Sequence, residues 1–207
     1  MKTQTITDIS PNKNNDRHSI FLEGNFAFSL SQTDILYYKL EIGKSLTEAQ
    51  IEIIKTNTLQ TKSNATAQNF LAYKPRSYKE MKQKLSEKDY PPDIIETTLE
   101  TLCKYDYLND ERYAKSYITH KKNLGQVRLS YELRLKGIEE RLINQALADH
   151  FDDQEDIYDT ISQLFNKKLS GDTDPSPKEK QRAFNFVLRR GFYYDDVQQG
   201  YNRYLEQ

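Results

Sequence analysis

The chain lacks tryptophan and has a single cysteine, Cys103, among its 207 residues. One cysteine excludes an internal disulfide, so we expect a reduced intracellular setting and a core-packing role for Cys103. No stretch approaches the roughly 20 consecutive apolar residues that cross a membrane, and no apolar signal segment opens the chain. The sequence therefore predicts a cytoplasmic protein with no membrane association.

An excess of charge of one sign is also missing, because 30 Lys and Arg offset 31 Asp and Glu. The net charge of −1 gives no overall signature of nucleic-acid binding, so any such signal must be local. Charged residues make up 29% of the chain and hydrophobic residues 36%. This composition is poor in core residues for one globule and favours an elongated array of small helical units.

Recognisable catalytic motifs are absent from the sequence. It contains no Gly-rich phosphate loop, no metal-ligand spacing and no nucleophile elbow. The adjacent acids Asp110 and Glu111 could be metal ligands, but acids in the first turn of a helix capped by Asn109 or Asp110 explain them better. The three histidines lie in separate segments, at His18, His120 and His150. We therefore expect a non-enzymatic protein without a catalytic residue, metal or cofactor.

Residues 1 to 30 have the pattern of a small antiparallel β-hairpin or sheet. Thr3 to Ile9 alternates and is rich in Thr and Ile, and the segment 19–28 reads as two strands around a Glu-Gly-Asn turn. The preceding turn is indicated by Asn12, Asn14, Asn15 and Asp16.

Two short helices are predicted to follow this sheet. Ser31 to Tyr38 is predicted to form a short helix, with Ser31 as N-cap and Asp34 three residues later, and Gly43 is expected to stop it. The next helix begins at Thr47 and is expected to end near Thr61.

An internal repeat dominates the chain from about residue 66 onwards. Asp89, Gly137 and Gly191 are equivalent anchors, spaced 48 and 54 residues apart. Apolar residues recur at five offsets from each anchor, namely −8, −4, +1, +6 and +10. The pattern predicts a helix, a left-handed turn at the anchor and a second helix, with a third helix preceding each pair at about 66–74, 110–123 and 154–169.

The charges are distributed unevenly along these repeats. Residues 112–136 carry seven cations against Glu132, and residues 74–88 carry six against Glu80 and Glu87, whereas residues 151–207 are acidic. This clustering favours a face that approaches phosphates or an acidic protein surface, although a solvated helix face would also explain each run. In the turn 74–77, Pro75 and Ser77 have structural roles as helix stop and cap, whereas Arg76 has none evident from sequence.

Three motifs in the chain resemble the RecX family. They are Ala67 to Leu85 with its Lys-Pro-Arg-Ser turn, Tyr107 to Ala114, and Gly125 followed by Leu133-x-x-Lys136-Gly137-Ile138. The resemblance covers about residues 66 to 205, and it departs from the usual family pattern at Lys88-Asp89-Tyr90 and in the third repeat. It implies a regulator that lies in the groove of the RecA–single-stranded-DNA filament and limits filament growth, ATP turnover and strand exchange; some members also bind DNA.

The sequence thus predicts a mainly α protein of three tandem three-helix repeats in an elongated array, preceded by a small sheet. The expected segments are 1–63, 64–108, 109–151 and 152–207. We expect a monomer whose partner is the RecA filament, with single- or double-stranded DNA as a further partner; a helix-turn-helix DNA-binding protein and a helical scaffold without a nucleic-acid role are the alternatives. The candidate binding residues are the basic side chains Arg76, Lys79, Lys82, Lys115, Lys121, Lys122, Arg128 and Arg134.

Overall fold

The N-terminal sheet of this computed structural model has four antiparallel strands in the order β3-β2-β1-β4. The structure describes residues 2–12, 17–152 and 154–206, with the backbone alone for Gln154 and Glu155. The strands are β1 (Thr3–Pro11), β2 (Arg17–Leu22), β3 (Asn25–Ser31) and β4 (Ser45–Thr47). The expected sheet is confirmed, while the short edge strand β4 was not predicted.

The structure confirms the predicted turn between β2 and β3. Glu23 and Gly24 both have positive φ between β2 and β3, which matches the predicted hairpin turn. Three residues of the other predicted turn, at positions 14 to 16, lie outside the described residues. Helix α1 (Gln32–Tyr38) begins with the predicted capping box of Ser31 and Asp34. It ends after Tyr38 as predicted, but the residue that ends it is Lys39, with a φ of 49°, and not Gly43.

The prediction of a helix break after Thr61 is wrong. Helix α2 (Glu48–Ile54) continues through a π-helical stretch (Lys55–Gln60) directly into α3 (Thr61–Tyr73). Neither Gly nor Pro interrupts this segment, and its polar residues find buried partners. The Ser63 and Thr98 hydroxyls lie 2.8 Å apart, and Gln60 Nε2 donates to Thr98 at 2.8 Å. This polar segment has the composition of a loop, but Gln60 and Ser63 lie in a contact between helices and bind Thr98 there.

The predicted tandem helix-turn-helix pairs are confirmed, each preceded by a third helix. The first unit combines α3 with α4 (Tyr78–Ser86) and α5 (Pro92–Lys104). The second consists of α6 (Asp110–His120), α7 (Gln126–Leu135) and α8 (Glu140–His150). The third consists of α9 (Gln154–Leu169), α10 (Pro177–Leu188) and α11 (Tyr194–Leu205).

The anchors behave as their sequence positions predict. Asp89, Gly137 and Gly191 have φ values of 56°, 79° and 86°, and each ends the middle helix of its unit in a left-handed conformation. The residues at the five apolar offsets are buried, except for half-buried Leu147. Because these offsets place the two helices of a pair against the preceding one, the second and third repeats each have a thin core of their own.

The chain divides into two compact units between Leu108 and Asn109. In the N-terminal unit one core runs from Ile6 in the sheet to Leu108, so the sheet packs with the first helical repeat. The sheet also binds the anchor turn, because Arg17 Nη1 donates to the carbonyl of Lys88 at 2.8 Å and Asn12 Nδ2 donates to Asp89 at 3.0 Å. The C-terminal unit holds separate cores for the second and third repeats. The segment boundaries at 63/64 and 151/152 remain predictions, as does the elongated arrangement.

The prediction that Cys103 belongs to the core is wrong. Leu102 occupies the buried position on α5, whereas Cys103 is exposed. Consecutive residues of an α-helix lie about 100° apart around its axis, so the residue after a core position can face solvent.

Candidate functional site

The predicted basic residues are divided between the two compact units. Arg76, Lys79 and Lys82 lie at the start of α4 and along it in the N-terminal unit. The other five lie on α6, on α7 or in the turn between them, in the C-terminal unit. Most of them have partners that a count along the sequence does not reveal.

Arg76 has the structural role that the sequence did not show. Its guanidinium carbon lies 3.7 Å from the centre of the Phe70 ring, and its Nε donates to the Phe70 carbonyl at 3.4 Å. Lys84 Nζ lies 5.6 Å from the centre of the same ring. Arg76 therefore holds the end of α3 against the start of α4 through a cation–π contact. The expectation that Arg76 is free of structural duties is wrong.

Lys79 and Lys82 are exposed on α4. Lys82 Nζ lies 3.9 Å from a carboxylate oxygen of Glu96 on α5, which is a loose and solvated ion pair. Exposed pairs of this kind contribute little to stability, so Lys82 can exchange Glu96 for another anion at small cost.

Lys115 lies between two carboxylates. Its Nζ is 3.1 Å from Glu111 on the same helix and 3.3 Å from Asp149 on α8. Hydrogen bonds to Glu111 and Asp149 raise the pKa of Lys115 above its ordinary value. The charge of Lys115 is thus offset locally by two carboxylates.

Arg128 and Arg134 on α7 are also paired, each through part of its guanidinium. Arg128 Nε donates to Glu132 at 2.6 Å, and Arg134 donates to Glu140 through Nε at 2.8 Å and Nη2 at 2.6 Å. Burial raises the pKa of Glu132, but hydrogen bonds from Tyr117 and Arg128 outweigh it, so this pKa lies below its ordinary value. Both arginines keep unused N–H groups, since no other hydrogen bond of theirs occurs within the described ranges.

Lys121 and Lys122 form an open positive site in the C-terminal unit. Both are exposed just beyond the end of α6. Neither makes an ion pair within the described part of the chain, and Lys121 Nζ lies 5.9 Å from the centre of the Tyr117 ring. Burial lowers the pKa of His150, and the nearby Lys122 lowers it further. We call these two residues the lysine turn.

The sequence interpretation missed an apolar row on the outer side of α7. Val127, Tyr131 and Leu135 are 52%, 53% and 59% exposed, and they follow each other at intervals of one helical turn. Val127 and Arg134 also line a cleft of about 490 Å³ together with Tyr193 and Phe151. The i, i+4, i+8 spacing of these residues is visible in the sequence, but Leu129 and Leu133 already account for one apolar face of α7, and an amphipathic pattern predicts only one.

The acids considered as metal ligands have structural partners. Asn109 accepts a hydrogen bond from the backbone nitrogen of Arg112 at 2.9 Å and caps α6, with Asp110 and Glu111 in its first turn. The described residues contain no group of three or more His, Cys, Asp or Glu side chains arranged to hold a metal ion. Nor, over the same residues, does any helix combine the length and apolar character needed to cross a membrane.

Known proteins resemble this chain over nearly its whole length. The RecX N-terminal domain profile matches residues 4–47, and the profiles of the first, second and third RecX three-helix domains match residues 65–102, 109–147 and 154–199. Regulatory protein RecX of Bacillus subtilis (strain 168) is 36% identical over 93% of this chain and 74% of its own length. Regulatory protein RecX of Clostridium acetobutylicum is 31% identical over 95% of this chain and 94% of its own.

Solved structures agree with this similarity. A crystal structure of regulatory protein RecX aligns with a TM-score of 0.63 at 25% identity, over 99% of this chain and 100% of the other. The crystal structure of RecX from Lactobacillus salivarius shares the fold, with a TM-score of 0.64 at 22% identity, over 72% of this chain and 97% of the other. By its sequence relatives and its three-helix repeats, the chain belongs to the RecX family of regulatory proteins.

Proposed function

We propose that this protein binds the filament that the RecA recombinase forms on single-stranded DNA and lies in the filament groove. In that position it limits RecA's ATP hydrolysis, filament growth and strand exchange. Membership of the RecX family carries the proposal, because that family is a family of RecA regulators. The protein acts in the cytoplasm as a monomer, with residues 64–108, 109–151 and 152–207 as successive binding units and residues 1–63 as an N-terminal segment.

The exposed cations explain how such binding would work. The lysine turn offers two positive charges without a carboxylate partner among the described residues, and Lys79 and Lys82 are exposed on α4. A filament presents the same subunit repeatedly, so several weak contacts along successive units add through effective concentration. By holding neighbouring subunits in one arrangement, the protein would oppose the conformational cycling that accompanies ATP turnover.

A pull-down of purified RecA with and without single-stranded DNA tests the proposal. The tagged protein should retain RecA strongly in the presence of DNA and ATP, and the retained filament should hydrolyse ATP more slowly. Equal retention of DNA without RecA would instead favour a helix-turn-helix DNA-binding protein. Retention of neither partner would leave a helical scaffold as the better account.

The protein is proposed to act by binding and not by catalysis. Asp110 and Glu111 occupy the first turn of a capped helix, and Glu111 pairs with Lys115. Highly purified protein should therefore show neither ATPase nor nuclease activity. Metal-dependent DNA cleavage that disappears in an Asp110→Ala or Glu111→Ala variant would contradict this expectation.

A further inference from the structure

The outer side of α7 differs from the corresponding helix faces in the other repeats. Val127 and Tyr131 lie ten and six residues before the anchor Gly137 and are 52% and 53% exposed. The same offsets hold Lys79 and Gln83 in the first repeat, and Gln181 and Asn185 in the third. All four of these residues are exposed too.

At both offsets the residue is therefore polar in the first and third repeats and apolar in the second. Exposure is the same in all three repeats, so packing within a repeat does not require an apolar residue at either offset. Contiguous exposed apolar patches rimmed by polar residues mark interaction sites, and the row of Val127, Tyr131 and Leu135 is exposed apolar surface beside two arginines. The second repeat thus carries an apolar surface that its fold does not need.

We propose that Val127 and Tyr131, flanked by Arg128 and Arg134, form a docking face for a protein segment that combines apolar side chains with carboxylates. The inference rests on the proposed function, which makes RecA the protein that supplies this segment. It assigns the protein–protein contact to α7 and separates it from the charge contacts of the lysine turn.

The two arginines determine the chemistry of the partner segment. Arg128 uses its Nε toward Glu132 and Arg134 uses Nε and Nη2 toward Glu140, so Arg128 keeps both terminal nitrogens and Arg134 keeps Nη1 for an added acceptor. A carboxylate reaches such a guanidinium edge in a charge-assisted hydrogen bond. The apolar row between the arginines would be covered by the partner's aliphatic or aromatic side chains.

A protein segment suits this face better than a nucleic-acid strand. Val127 has no π face on which a base could stack, and stacking on aromatic rings is what holds single strands. The cleft lined by Val127, Arg134 and Tyr193 next to the row is large enough for an apolar side chain of a protein.

A double substitution tests the docking face with residues that the other repeats already carry there. The variant Val127→Gln/Tyr131→Gln introduces the glutamines found at positions 181 and 83. Its charge is unchanged, and both substitutions lie at exposed helix positions, so its melting temperature should match that of the unsubstituted protein. The control Gln181→Ala/Asn185→Ala alters the same offsets in the third repeat.

Binding is measured by surface-immobilised RecA, alone and assembled on single-stranded DNA with a non-hydrolysable ATP analogue. We expect the α7 variant to bind the filament about tenfold more weakly, as loss of anchor side chains does at protein interfaces, while the control binds normally. The lost affinity should be largely independent of salt, since apolar contacts are not screened.

The outcomes separate the two proposals. If the unsubstituted protein does not bind RecA in either form, the proposed function fails and the docking assignment fails with it. If it binds and the folded α7 variant binds equally well, only the docking face is wrong. A variant that keeps RecA binding but loses self-association in sedimentation would show that the face meets a second copy of the chain, and would also overturn the proposal.

Discussion

Gly125 and Gly191 meet backbone to backbone, one at the start of α7 and the other in the anchor turn after α10. The Gly125 nitrogen donates to the carbonyl of Arg190 at 2.8 Å, and Val127 donates to the carbonyl of Gly191 at 3.0 Å. A Cβ on Gly125 would lie closer than 3.0 Å to the Phe192 backbone, and a Cβ on Gly191 would lie equally close to Arg128. The second and third repeats are thus joined at a point where neither glycine can be replaced by a residue with a side chain.

Substitution at this junction should therefore destabilise the C-terminal unit. Gly191→Ala combines an unfavourable φ of 86° with a steric clash, so we expect a loss of about 2–4 kcal/mol in the free energy of unfolding. The matched control is Gly171→Ala, where φ is 84° but the nearest atom would be 3.9 Å away. Strain alone should cost the control about 1–2 kcal/mol. Equal melting temperatures for the two variants would contradict the close approach.

Much of the fold could be predicted because the repeat carries its own internal evidence. The same offset must be apolar in three copies, and a left-handed turn must follow each middle helix, so a chance pattern is easily rejected. Asp89 is informative in this respect. Asp adopts the left-handed conformation less readily than Gly. In the structure, the Asp89 side chain accepts a hydrogen bond from Asn12 of the sheet. That contact joins residues far apart in the chain, which no local pattern reveals.

The candidate site could be predicted only in part, because charge runs count neighbours in sequence and not in space. Arg134 and Lys115 contribute to the basic stretch 112–136, yet their partners Glu140 and Asp149 lie beyond its end. The lysine turn keeps its exposure because a turn has few neighbours. The exposed apolar row on α7 could not be predicted, because an amphipathic pattern identifies one buried face of a helix. A second apolar face on the same helix does not fit that pattern.

The Glu132 carboxylate should make a pH-dependent contribution to stability. Its pKa in the folded protein lies below its ordinary value, so the stabilisation is present at pH values above that ordinary value and is lost as the pH falls through the lowered folded pKa. Glu132→Gln should thus lower the free energy of unfolding by about 0.5–1 kcal/mol at pH 7, and the difference should shrink in more acidic solution. Urea unfolding at several pH values measures it.

The control for Glu132 is Glu41→Gln, at an exposed position whose side chain makes no hydrogen bond or ion pair with the residues that the structure describes. It should leave stability unchanged throughout the pH range. Tyr117→Phe removes one donor to Glu132 at 2.7 Å and should reduce the pH dependence. A Glu132→Gln difference that stayed constant into the acid range would show that the charge of this carboxylate is not what stabilises the fold.

Substitution of Arg76 should reduce the stability of the fold. Arg76→Ala loses the stacking on Phe70 and should cost about 0.5–2 kcal/mol, whereas Arg76→Lys keeps the charge and loses the planar contact. Thermal melting distinguishes both variants from Lys74→Ala, an exposed neighbour outside this stacking contact. If all three variants melted together, the cation–π contact would contribute nothing, and Arg76 would again be open for a role in binding.

The last prediction concerns the lysine turn. Lys121→Glu/Lys122→Glu should weaken association with the RecA–DNA filament, because it reverses two exposed charges that face phosphates or acidic groove residues in the proposed complex. Arg128 is left out of this variant because it pairs with Glu132, and Lys180 is left out of the control because its Nζ lies 4.7 Å from the Tyr201 ring centre.

The matched control is therefore Lys167→Glu/Lys178→Glu, which makes the same change of charge at exposed positions of the third repeat. Both double variants should melt like the unsubstituted protein, since none of the four lysines belongs to the core. Filament affinity of the unsubstituted protein should fall steeply as salt rises, and the lysine-turn variant should show a shallower dependence. Equal loss of affinity in the two double variants, with folding intact, would mean that binding responds to overall charge and that the lysine turn is not the contacting face.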